Sequence, residues 1–485
     1  MTRRPAPPAW AWTALWLCLV ALYVVPPIAH LGDDAWDYDE GPTLQAAALS
    51  AVGHGLYTAV PLNKPPLLVW ALRAAFSVGG VTVASGRVLV LALTALGFVA
   101  LGLLAARWWG RAAGPATLAV LLCIPEVPLR AAVVMADLPA LSAGAAALLA
   151  ATRYRQTGQR RHAAAGAVAC AAVLGLHPLL GYILVPAGFL ALGPGGTARS
   201  RARATALGAG VLAAQAAALG CVYPPRAMAR WIGRYNLTLG AGGRHLAEGN
   251  WWSLRVYLTA HAALALAAGA SVALVWARGR RAAVTAAGLW FCATVAVLGL
   301  WRPLWDNYLL LLLVPLAVLT GGGLTEAVRL AADRARGNAG VERWRLVVAA
   351  VAVAGALVTA HQRFRAPLAW PVWTAQRAAA RDYLRAHTGP GEAVAADDQF
   401  LVFAAGRRVP PALADTSHKS LATGWLRGPE VVGAITGARV RYVALASGRF
   451  ALRLPEVVAW LEATAVERRD FGDVRVYRLP EVAGR

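Results

Sequence analysis

Five of the chain's 24 acidic residues, Asp33, Asp34, Asp37, Asp39 and Glu40, fall within eight positions, and one of its two lysines, Lys64, comes about 25 residues later. Carboxylates so placed can take a proton from an attacking hydroxyl, and an ammonium can stabilise a departing phosphate. On a helix, the adjacent Asp39 and Glu40 point about 100° apart, so only one of them faces a given reacting atom. Lys64 precedes Pro65 and Pro66, which bias it toward an extended backbone and stiffen the segment beyond it. Asp37-Tyr38-Asp39 has the alternation by which two carboxylates of an extended chain can share a divalent cation, so Asp37 and Asp39 are candidate metal ligands. The plainer accounts are an acidic loop capping a helix that begins near Thr43 and a lysine that snorkels to lipid headgroups.

Further candidates lie at the ends of apolar stretches. Arg130 and Asp137, seven residues apart, are expected to share a helix face and pair; Asp137, followed by Pro139, also suits a helix start. Arg226, Arg230 and Arg234 have a four-residue spacing that lines one helix face, fit for a phosphate or an anionic headgroup. His177 and the Asp306-Asn307-Tyr308 run sit where apolar segments end, His177 reading as a packed polar side chain and Asp306 as a support to a site. Asp415, Ser417 and His418 are too close in sequence for triad geometry and read as a loop.

An acidic pair after the first apolar segment (Asp39-Glu40-Gly41), a glycine-to-tyrosine motif at Gly53 to Tyr57, and then Lys64-Pro65-Pro66-Leu67 together resemble the first external loop of glycosyltransferase family 39. That family includes protein O-mannosyltransferases and lipid A aminoarabinose transferases. The resemblance implies a GT-C membrane enzyme that takes a sugar, with inversion, from a polyprenyl-phosphate donor on the outer face of the cytoplasmic membrane. It implies Asp39 as base with Glu40 in support, and Lys64 and Arg130 as ligands of the donor phosphate. Asp137, Tyr57 and Asp306 stand behind them. The acceptor would be a glycolipid, a wall polymer or a protein. The likeness is strongest in the first loop and covers chiefly the first 200 residues.

Composition agrees with a membrane protein: 58% of the 485 residues are hydrophobic, too many for an ordinary soluble domain. The formal net charge of +23 is distributed in small arginine clusters between apolar runs, which fits the positive-inside rule and not a nucleic-acid surface. Clusters beginning with Arg3 and Arg4 and recurring near 107, 155, 201, 280 and 336 are expected to be cytoplasmic. This leaves the acidic loop outside and the N-terminus inside. About eleven spans are expected between residues 10 and 361, three of them (112–124, 138–152 and 163–177) short of the ~20 residues that cross a bilayer. Within the first external loop, 30–84, amphipathic helices over 43–77 are expected to lie on the outer leaflet.

The fold class expected is therefore a polytopic α-helical membrane protein of GT-C type (1–364) with an external C-terminal α/β domain (365–485). In the latter, the patterns predict a helix over 371–387, strands at 393–396 and 440–446, a helix at 455–465 and a hairpin turning at Phe471-Gly472-Asp473. A transporter or lipid flippase is the alternative. It would call for ionisable groups near the bilayer midplane and an internal repeat, and no obvious repeat is present.

Overall fold

The computed structural model describes residues 9–193, 196–237, 244–301, 304–337, 342–365 and 368–481; Arg3 and Arg4 lie outside the described residues. The first apolar run forms α1 (Ala9–Ile28). The loop after it contains α2 (Glu40–Ala51) and α3 (Leu67–Gly79), and the long apolar α4 (Val83–Trp109) follows, capped by Thr82. Next come α5 (Ala113–Leu122), the one-turn α6 (Glu126–Leu129), α7 (Asp137–Thr157), α8 (Arg160–Leu176), α9 (Leu184–Leu192) and α10 (Ala198–Val222). A one-turn α11 (Pro225–Met228) leads into a π-helical turn at Ala229–Arg234. The bundle is completed by α12 (Arg244–Ala260), α13 (Ala262–Ala277), α14 (Arg281–Leu300), α15 (Asp306–Ala335) and α16 (Arg343–Arg365).

Six of these helices are long and apolar enough to cross a membrane, the property of a multi-pass membrane protein. A seventh apolar stretch, α12 with α13, is broken at His261, where the two helices meet at 81°. The central element is α15: every residue from Tyr308 to Gly323 is buried. Its glycines allow this. A Cβ on Gly321, Gly322 or Gly323 would lie within 3 Å of Thr117, Trp109 or Ser271 respectively, so α15 meets its neighbours backbone-close, as small residues permit between membrane helices.

The loop helices form as expected, but α2 is not a half-exposed helix on a leaflet. Nine of its twelve residues are buried, because the C-terminal domain packs on it from above. Gly41 marks a close approach: a Cβ there would run into the backbone nitrogen of Phe400. Gln45 donates to the carbonyls of Gln399 and Arg407 and accepts from the amide of Val409. Arg377 bridges Asp34 and Asp398 at 2.7 Å each.

The C-terminal domain carries a four-stranded sheet in the order β1-β2-β4-β3, with β1 (Val394–Ala396) parallel to β2 (Tyr442–Leu445), and β4 (Val474–Arg478) antiparallel to both β2 and β3 (Glu467–Phe471). The hairpin turns at Gly472, whose φ of 68° suits glycine. The helix expected from 371 begins at Ala375, after Thr374, whose side chain caps it by accepting from the Arg377 amide; the other expected helix is Pro455–Thr464.

Candidate functional site

The acidic loop is tied down by one residue. Arg87, four positions into α4 and fully buried, donates to both oxygens of Glu40 (3.1 and 2.8 Å) and to the carbonyls of His30, Asp33 and Asp34. Its guanidinium lies over Trp36, 4.3 Å from the ring centroid. Glu40 also accepts from the amides of Trp36 and Val134, so its carboxylate is fully occupied. Thus Glu40 faces away from any cavity and fixes the loop, while the preceding residue, Asp39, is turned out, as expected for neighbours about 100° apart.

Asp39 opens on a cavity of about 390 Å³ between the helical bundle and the C-terminal domain. Lys64 Nζ donates to Asp39 Oδ2 at 3.1 Å, and Arg130 Nη1 donates to Asp37 Oδ2 at 3.2 Å; all four line the cavity, as does Asp306. Burial alone would lower the Lys64 ammonium, but the charges of Asp39 and Asp137 outweigh it and hold its pKa above the ordinary lysine value. Burial, reinforced by the charge of Asp39, pushes the Asp37 carboxyl up against the opposing pull of Arg130. Tyr57 does not reach the cavity. It sits at a φ of 68°, uncommon for a side chain of its size, and its hydroxyl donates to the carbonyl of Lys64 at 2.9 Å, fixing the segment that presents the ammonium.

Arg130 and Asp137 are not the pair their spacing predicts. Arg130 ends α6, and the intervening residues turn before α7 starts at Asp137, so the two share no helix. Asp137 is buried instead beside His177 (3.1 Å) and accepts from Asn307 Nδ2 at 2.8 Å. Asp415, Ser417 and His418 form no triad: Asp415 accepts from the Ser417 amide, Ser417 caps the short helix His418–Ala422, and His418 contacts Arg453.

The opposite wall contains residues that the sequence motifs do not include. Lys419 donates to Asn236 Oδ1 at 2.7 Å, and Asn236 donates to the carbonyl of Asn63, linking the C-terminal domain, the π-turn helix and the first loop around the rim. Both lysines of the chain therefore line one cavity. Burial, countered by Asp415 and Asp39, lowers Lys419 to about 8. Arg449 lies over the Tyr38 ring at 3.4 Å, and the Tyr38 hydroxyl donates to Gln399. The arginine row Arg226, Arg230 and Arg234 is helical as expected; Arg230 stacks over Trp425, 5.2 Å from its centroid.

The Asp37/Asp39 pair is arranged as two ion pairs and not as a ready-made divalent-cation site. Each carboxylate already holds a cationic partner, and no group of three or more His, Cys, Asp or Glu side chains converges there or elsewhere among the described residues. What the arrangement can do is bind an anion between Lys64 and Arg130 while leaving a carboxylate 3.1 Å away.

No protein-family profile matches the chain, and no curated protein does. Solved structures do. ArnT from Cupriavidus metallidurans bound to undecaprenyl phosphate shares 15% identity and a TM-score of 0.57, over 97% of this chain and 98% of that one; its apo state gives a TM-score of 0.61 over the same shares. The archaeal oligosaccharyltransferase AglB from Archaeoglobus fulgidus, in complex with an inhibitory peptide and a dolichol-phosphate, shares 13% identity and a TM-score of 0.54, over 94% of this chain and 72% of that one. At these identities the likeness shows the fold alone: a multi-pass bundle of apolar helices with a small α/β domain packed on its first loop.

Proposed function

We propose that the protein is a membrane glycosyltransferase that moves a sugar from a polyprenyl-phosphate donor to an acceptor hydroxyl on the outer face of the cytoplasmic membrane, with inversion. The observation that carries the reading is the Lys64–Asp39 contact of 3.1 Å inside a cavity at the end of the helical bundle. Undecaprenyl phosphate bound to ArnT and dolichol-phosphate bound to AglB support this class of donor.

In the free protein Lys64 and Asp39 neutralise each other. A donor phosphate arriving between Lys64 and Arg130 takes over the ammonium and frees the carboxylate. The acceptor oxygen then bonds to the anomeric carbon from the face opposite the phosphate. As that bond forms, the bond from the carbon to the phosphate oxygen breaks, and its electron pair leaves on polyprenyl phosphate, stabilised by the two cations. The hydroxyl proton passes to Asp39. Glu40 and Tyr57 act by holding Asp39 and Lys64 in place, Asp306 by lining the cavity and Asp137 by holding Asn307 and His177 in its wall. The acceptor would be a glycolipid, wall polymer or protein.

The test is sugar release from a panel of polyprenyl-phosphate sugars by the purified chain, alongside Lys64→Ala. The reading expects release from at least one donor and its loss, with weakened donor binding, in the folded variant. Undiminished release by Lys64→Ala contradicts it.

A further inference from the structure

Twenty residues along α15 from Asp306, about 30 Å at helical rise, a second built site lies at the opposite end of the bundle. The carboxylate of Glu326 is buried there and faces Arg278 at 2.8 Å, Arg345 at 3.1 Å and Arg329 at 3.6 Å. Arg280 lines the same cavity of about 400 Å³, so four positive charges meet one negative charge. The indole nitrogen of Trp109, which also lines it, is buried and has no hydrogen-bond partner among the described residues; it is a donor without an acceptor. An ordinary structural ion pair does not need three surplus cations.

Arg329 also borders a second depression, an apolar groove of about 580 Å³ between α1, α5 and α15, lined by Leu15, Leu19, Pro115 and Ala119 among others. A cationic cavity joined through one arginine to an apolar groove on the outside of a helical bundle has the two halves of a phospholipid's shape. We infer that this end of the protein binds an anionic phospholipid, its phosphate among Arg278, Arg280 and Arg329 with the Trp109 indole donating to it, and an acyl chain along the groove. A free phosphate would use the arginines and leave the groove empty. The inference is independent of the transfer reaction, whose cavity lies at the other end.

The experiment titrates the full chain in detergent micelles with phosphatidylglycerol, phosphatidylcholine or inorganic phosphate and reads bound ligand by native mass spectrometry. Phosphatidylglycerol should be retained in clear preference to phosphatidylcholine. The double variant Arg280→Gln/Arg329→Gln should weaken it about 30-fold, taking about 1 kcal/mol for each basic residue near a lipid surface. Ala119→Trp, a lipid-facing change that keeps every charge, should weaken phosphatidylglycerol and leave inorganic phosphate unaffected; it keeps the test decisive if the double variant fails to fold. Equal retention of the two lipids overturns the inference, as does unchanged retention in the folded double variant. Inorganic phosphate that displaces the lipid, together with an inert Ala119→Trp, would make this a soluble-anion site and also overturn it.

Discussion

Replacing Arg87 with methionine removes one partner of an ion pair in which neither side chain is exposed. It leaves the Glu40 carboxylate buried and strips a donor from the carbonyls of His30, Asp33 and Asp34. Breaking such a pair from one side costs about 3–5 kcal/mol, whereas replacing both partners is far cheaper. Glu40 keeps the amides of Trp36 and Val134, so the lower end, about 3 kcal/mol, applies. That is a large share of a typical total stability of about 5–15 kcal/mol. Thermal unfolding in micelles, monitored through the chain's 19 tryptophans, should show Arg87→Met melting several degrees below the parent. The double variant Arg87→Met/Glu40→Gln, with no uncompensated charge, should recover much of the loss. A single variant that melts within a degree of the parent, or a double variant that melts lower than the single one, refutes the reasoning.

The same geometry has other consequences. Lys419 carries its charge below about pH 8; as pH rises through that value the cavity loses a cation, so anionic-ligand binding should fall with an inflection near 8 that moves upward in Lys419→Arg. Because its folded pKa is below the unfolded one, the same group makes the fold more stable as pH rises from about 8 toward 10.5, and a pH series of melting temperatures that shows no difference between native and Lys419→Met over that window contradicts this. Gly41→Val should force α2 and Phe400 apart at about 1–3 kcal/mol for overpacking, and limited proteolysis should cut the C-terminal domain faster.

Much of this was legible in the sequence because hydropathy and rare residue types carry it. A helix must be long and apolar to cross lipid, and a lysine in an arginine-rich chain stands out; Lys64 and Asp39 meet as their types foretold. The same rarity marks Lys419, the other lysine, which no local motif ties to the first loop. Arg87 had a signal too, as a lone arginine near the start of an apolar run on the acidic side of the chain, against the positive-inside pattern. The Arg130–Asp137 expectation failed because helical spacing predicts contact only when one helix contains both residues, and a turn intervenes. The burial of α2 could not be read locally, since the surface that covers it comes from residues near 400, and the break at His261 has no proline or glycine to announce it.

The central claim is that Asp39 accepts the proton, and a single-turnover measurement with saturating polyprenyl-phosphate sugar tests it most directly. Asp39→Asn should bind donor as the native chain does and transfer sugar at least about 100-fold more slowly, the scale of a lost general base, with Asp37→Asn less impaired. Transfer by Asp39→Asn at the native rate, in a folded protein that binds donor, would contradict the account.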